Sequence, residues 1–147
     1  MSKAILVFDP GESTGWCFQT FNGTVYGGTA RKDHLEVANL IYTTRPDIVV
    51  LERFNLYPQM AKSLSWNSFY PCEVIGVIKY ACMDLNIPVV EQAPSIKKYF
   101  GGFQSDWDTI GKLDFQLEPY SKGVTEHTKD AYMHYRYFLR NGLKKFV

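Results

Sequence analysis

The chain of 147 residues carries 46% hydrophobic and 21% charged side chains, the balance of one soluble globular domain spanning 1–147. A net charge of +1 announces no polyanionic partner by itself, and no stretch approaches the ~18 uninterrupted apolar residues of a membrane span. Asp9 ends the apolar run of "MSKAILVFDPG", which is therefore no secretory leader, and three cysteines without a CxxC pair read as reduced thiols in a cytoplasmic protein.

In chain order, "KAILVFDPG" is a buried strand that Pro10-Gly11 stops just after Asp9. "GWCFQTF" and "GTVYGGTA" are two further strands, and the Asn22-Gly23 turn between them predicts an antiparallel meander. Asp33 caps a helix from about His34 to Thr44, with Leu35, Ala38, Leu40 and Ile41 as its expected inner face. "RPDIVVLER" is a fourth strand, delivering Glu52 at its end. After the aromatic, irregular "FNLYPQMAKSLSWNS", a helix over 70–86 has Val74, Val77, Ile78, Ala81, Cys82 and Leu85 on one face, with Pro71 at its start.

"IPVVEQ" is a fifth strand, and Ala93-Pro94-Ser95 opens a short helix that ends at Gly101-Gly102. Residues 102–124 have little periodicity and read as a loop. The final helix, about Glu126 to Asn141, is expected to bury Ala131, Tyr135, Phe138 and Leu139. This order of elements predicts an α/β fold with a mixed five-stranded sheet flanked by helices.

Asp9 and Glu52 each close a buried apolar strand, at the edge of an α/β sheet where ligands collect. If the two strands are neighbours, both carboxylates emerge on one rim, which is costly unless a proton or a cation stands between them. Hard divalent ions such as Mg²⁺ use such oxygens. In "TEHTKDAYMHYRYF", His127 and Asp130 are three apart at a helix start and so share one side of it. Brought to the same rim, Asp130 adds a third acidic ligand, and His127 adds either a nitrogen ligand or a proton carrier. Four such groups can hold two ions roughly 3.5–4 Å apart, the arrangement used for phosphodiester displacement. Taken singly, each acid also has a purely structural reading, since acids near helix starts are favoured by the dipole.

The set resembles the RuvC family of Holliday junction resolvases. "ILVFDPGESTGW" is similar to that family's first strand and its glycine/threonine turn, and "DIVVLERF" to its central strand ending in the second acid. "VVEQAPSIKKYFGG" is similar to its Ala-Pro-Ser turn followed by lysines, and "HTKDAYMHYRYF" to its last catalytic helix. The likeness runs in order from about residue 4 to 139, although 102–124 matches poorly. It implies an RNase H-like fold and an endodeoxyribonuclease, with Asp9, Glu52, His127 and Asp130 as both catalytic residues and metal ligands. The implied cofactor is two Mg²⁺ ions, with Mn²⁺ as an alternative. The implied substrate is the four-way junction, cut on symmetric strands by a homodimer without a nucleotide cofactor.

Many relatives carry aspartate where this chain has His127, which leaves its role open between ligand and proton shuttle. The short, divergent chain is similar to phage-encoded resolvases, which work in the bacterial host's cytoplasm.

The charge distribution is compatible with a nucleic-acid partner and equally with an ordinary solvated surface. Residues 1–92 carry seven basic and nine acidic side chains, whereas 93–147 carry nine and six. Lys97, Lys98, Lys112, Lys122 and Lys129 are the candidate phosphate contacts. The aromatics Phe54, Tyr57, Trp66, Phe69 and Tyr70 read as core, as a dimer surface, or as a wedge at a branch point. With helix 70–86 they are the expected dimer interface.

Three other readings compete. An RNase H-type enzyme would cut RNA–DNA hybrids or other branched DNA, and a silent relative would bind branched DNA without cutting. An actin-like ATPase also begins with a strand, an aspartate and a phosphate-holding turn, but it needs a second phosphate-binding turn that the chain lacks.

Overall fold

In the computed structural model, residues 3–30, 33–54, 70–99, 115–117 and 126–146 are described. Strands β1 (Ile5–Asp9), β2 (Thr14–Gln19) and β3 (Val25–Ala30) form the expected meander. Gly23, at φ +91°, supplies the left-handed residue that the tight turn between β2 and β3 requires. Helix α1 (His34–Thr44) follows, its first turn capped by the Asp33 carboxylate, which accepts from the backbone nitrogens of Leu35 and Glu36 at 3.0 and 3.2 Å. Strand β4 (Ile48–Glu52), helix α2 (Tyr70–Leu85) and strand β5 (Val89–Gln92) complete the middle of the chain. A 3₁₀ turn (Pro94–Tyr99) stands where a short helix was expected. Helix α3 (Glu126–Asn141) has the expected bounds.

The five expected strands all enter one sheet, and a sixth joins them: β6 (Phe115–Leu117) pairs parallel with β3 at the edge. This short strand corrects the reading of 102–124 as loop throughout; three residues are too few to show a period. The strand order is β5-β4-β1-β2-β3-β6, with β1, β4 and β5 mutually parallel and β2 antiparallel to both its neighbours.

Side chains alternate between the two faces of the sheet. Leu6, Phe8, Trp16, Val49 and Leu51 point to one face. They pack there with Val37 and Ile41 of α1 and with Tyr70, Val74, Ile78, Ala81 and Cys82 of α2. Ile5, Val7, Cys17, Val25, Ile48 and Val50 point to the other, against Ala131, Tyr132, Tyr135 and Phe138 of α3.

The inner face expected for α1 needs one correction, because Leu35 is exposed and Val37 is buried. The buried stripe runs through Val37 and Ile41. Leu35, two residues back, is turned by about 200° from it. Among the described residues no helix is long and apolar enough to cross a membrane.

Candidate active site

One cross-strand row on the α3 face defines the site. Gln92 of β5 is in register with Glu52 of β4. Glu52 lies one step beyond the Phe8–Leu51 pair, beside Asp9 of β1. Asp9 is in register with Gly15 of β2, and Gly15 with Thr29 of β3. The parallel strands β1, β4 and β5 therefore end together in Asp9, Glu52 and Gln92. The alternation that sends Val7 and Val50 into the α3 core sends the two acids to the same side.

Helix α3 lies along this row and touches its members in turn. Thr128, fully buried, donates to the Gly28 carbonyl at 2.9 Å and shares a 2.8 Å hydrogen bond with the Thr29 hydroxyl. At Gly15 the helix backbone sits so close that a Cβ there would overlap the His127 carbonyl group and the Thr128 nitrogen. His127 Nδ1 donates to Asp9 Oδ2 at 3.2 Å. Two turns later the His134 ring stands between the two strand ends, with Nε2 2.8 Å from Glu52 Oε2 and Nδ1 2.8 Å from Gln92 Oε1.

The spacing is consistent with simple geometry. Seven residues of helix rise about 10 Å, and the two strand intervals from β1 to β5 also span about 10 Å. Asp130, half-buried, is three residues after His127 and four before His134. It therefore stands along the helix between the points that meet Asp9 and Glu52.

Of the four ligands expected from the sequence, Asp9 and Glu52 end neighbouring strands at this edge, His127 contacts Asp9, and Asp130 lies three residues further along α3. Asp9, 6% exposed, is in direct contact with His127, and Glu52 is in contact with His134. Among the described residues no group of three or more His, Cys, Asp or Glu stands ready-made to hold a metal ion. Asp9 and Glu52 are each paired with a histidine of α3, Asp9 with His127 and Glu52 with His134. The donor chemistry fits a hard divalent cation all the same. Two carboxylates end adjacent rigid strands, and a third carboxylate and an imidazole lie on the helix above them.

Five contributors to this edge were not singled out in the sequence reading: Gly15, Thr29, Gln92, Thr128 and His134. A signal for His134 was present, since it follows His127 by seven residues and Asp130 by four, the spacing of one helix face. Gln92 could have been found as the polar residue ending a third parallel strand.

The turn after Asp9 is closed from within: Thr14 Oγ1 donates to the Gly11 carbonyl at 3.1 Å and accepts from the Gly11 nitrogen at 3.3 Å. This buried hydroxyl is used by the turn itself. Lys129 is half-buried on α3, and Lys97 and Lys98 stand on the 3₁₀ turn after β5. Lys112 and Lys122, like Tyr57, Trp66 and Phe69, lie outside the described residues. Tyr70 is core, stacked on His34 at 4.7 Å between ring centroids.

No family model matches the chain, and no curated protein matches it in sequence. Solved structures do match. RuvC of Thermus thermophilus, in complex with a Holliday junction substrate, superposes with a TM-score of 0.65 at 15% identity, over 95% of this chain and 96% of that one. The fowlpox virus Holliday junction resolvase gives 0.60 at 12% identity, over 93% and 98%. The yeast mitochondrial resolvase Ydc2 gives 0.50 at 14%, over 99% and 86%. The chain therefore has the RuvC-like resolvase fold, an RNase H-like α/β architecture, as its motifs implied.

Proposed function

We propose that the chain is a divalent-metal-dependent endodeoxyribonuclease that resolves four-way DNA junctions by nicking symmetric strands. The observation that carries this reading is the row of Gln92, Glu52, Asp9, Gly15 and Thr29, which sets two carboxylates side by side beneath the helix bearing His127 and Asp130. The fold shared with RuvC, which has been solved with a junction substrate, supports the same conclusion.

Asp9, Glu52, His127 and Asp130 are the residues that would hold Mg²⁺ or Mn²⁺. Bound there, two such ions supply an activated water and stabilise the leaving oxygen of a phosphodiester. The chain's own groups do the rest. Strand ends set the Asp9 and Glu52 backbones side by side, α3 carries Asp130 above them, and His127 Nδ1 is hydrogen-bonded to Asp9. Lys129 on α3, with Lys97 and Lys98 beside the end of β5, would meet DNA phosphates without reading sequence. Such an enzyme would work in the cytoplasm, that of a bacterial host if the chain is phage-encoded.

Two symmetric cuts call for a two-fold dimer. The apolar stripe expected to form its interface on α2 is used within the chain, against α1 and the sheet. The outer face of α2, where Tyr80 and Met83 are exposed, is the part of that helix available to a second copy.

The test is incubation of four-way junction, duplex, flap and RNA–DNA hybrid with Mg²⁺ or Mn²⁺, wild type against Asp9→Asn. Paired symmetric nicks on the junction, absent in the variant, are expected. Cutting of the hybrid in preference would move the assignment to an RNase H-type enzyme, and junction binding without cutting would leave a silent binder.

A further inference from the structure

His134 is the one fully buried histidine among the described residues, at 0% exposure, and neither of its ring nitrogens is left to the protein interior. Nε2 bonds Glu52 at 2.8 Å and Nδ1 meets the Gln92 side chain at 2.8 Å. A polar ring in that place costs free energy unless both nitrogens are matched, and a leucine would fill the position more simply. Gln92 is itself buried, 7% exposed, at a strand position whose preceding same-face residue is Val90. Two adjacent buried polar side chains, from β5 and α3, thus converge on the second acid of the site.

We propose that Gln92 and His134 form a positioning relay that holds the Glu52 carboxylate toward the cation site. The proposal rests on the nuclease reading of that site. Glutamate has several side-chain torsions to fix, and a strand end fixes none of them beyond the first. The bond from His134 fixes the carboxylate end. The Gln92 side-chain amide lies against Nδ1 and sets the plane of the imidazole, so that the ring cannot turn without losing both contacts. Groups that orient metal-binding carboxylates in this way influence cation affinity and turnover without touching the cation.

The experiment compares full-length wild type with His134→Leu, His134→Gln, Gln92→Leu and Glu52→Gln. Three quantities are read: Mn²⁺ affinity from electron paramagnetic resonance titration, kcat and KM on a four-way junction, and the unfolding midpoint of each protein. His134→Leu is expected to weaken Mn²⁺ binding and lower kcat by about 10–100-fold, with KM for the junction unchanged. His134→Gln, which keeps a donor toward Glu52, should recover much of both, and Gln92→Leu should fall between. Should His134→Leu fail to fold, the Gln92→Leu and His134→Gln pair carries the same contrast.

A folded His134→Leu or Gln92→Leu protein with wild-type Mn²⁺ affinity and kcat would overturn the relay while leaving the nuclease reading intact. Mn²⁺ binding that depends on Glu52 and His134, in a wild type that cuts no junction, would uphold the relay and remove that reading. A wild type that takes up no Mn²⁺ would overturn both.

Discussion

The two faces of the sheet carry out different tasks with the same strands. Against α1 and α2, β1 and β4 present Leu6, Phe8, Val49 and Leu51, an apolar surface to the last residue. Against α3 the same strands present Ile5, Val7, Ile48 and Val50 and then change character at Asp9 and Glu52. One face is core throughout; the other is core for most of its length and a polar site at its end. The parallel pairing of β1 with β4 brings both changes to one edge, and α3 reaches across that edge with His127, Asp130 and His134. Both faces thus bury an apolar core, and only the second ends in a polar edge.

The largest effect should come from breaking the apolar face. Phe8→Ala removes a fully buried ring and should cost about 3–5 kcal/mol, read from urea unfolding. Glu52→Gln, one residue beyond the Phe8–Leu51 register on the opposite face, should abolish Mg²⁺-dependent nicking at much smaller cost in stability. Equal stability losses in the two variants would erase the division of labour.

Next comes Gly15→Ala, at the point where α3 is pressed onto β2. The added Cβ meets backbone rather than a flexible side chain, so the helix start must lift. Overpacking of this kind costs about 1–3 kcal/mol. Here it should also displace His127 from Asp9, and nicking should fall by more than the stability loss explains. Wild-type activity in a stably folded Gly15→Ala protein would show that the close approach is incidental.

Much of this was legible in the sequence because it is local. The Asp33 cap, the Asn22-Gly23 turn, the bounds of α3 and the two acids at strand ends each follow from a few neighbouring residues. The remainder depends on partners far apart in the chain. Gly15 is needed for the sake of residue 127, and Thr128 is matched to Thr29. His134 is an ordinary mid-helix histidine until β4 and β5 bring Glu52 and Gln92 beneath it. Periodicity shows which residues share a helix face, but it does not show which strand ends that face will meet. Leu35 failed for the simpler reason that α1 has apolar residues on more than one side, and only packing selects among them.

The smallest effect concerns the thiols. Cys72 is exposed, whereas Cys17 and Cys82 are buried. Burial pushes the Cys17 thiol well above its ordinary value and the Cys82 thiol up to about 11. In native protein at pH 8, an alkylating reagent should therefore modify Cys72 alone, with all three reacting in urea. The sign for stability follows: below the ordinary value of 9.0 both buried thiols are protonated whether the chain is folded or not. Between 9.0 and about 11 the unfolded chain ionises first, so stability should decline across that window. Rapid native labelling of Cys17, which lies in the α3-side core, would show that this face opens more readily than its packing implies.

Crystals soaked in Mn²⁺ and measured for anomalous scattering would test the site most directly. The account predicts manganese bound by Asp9 together with Glu52, Asp130 or both, at the edge where β1 and β4 end. Manganese bound elsewhere, with Asp9 still paired to His127 and Glu52 to His134, would contradict it.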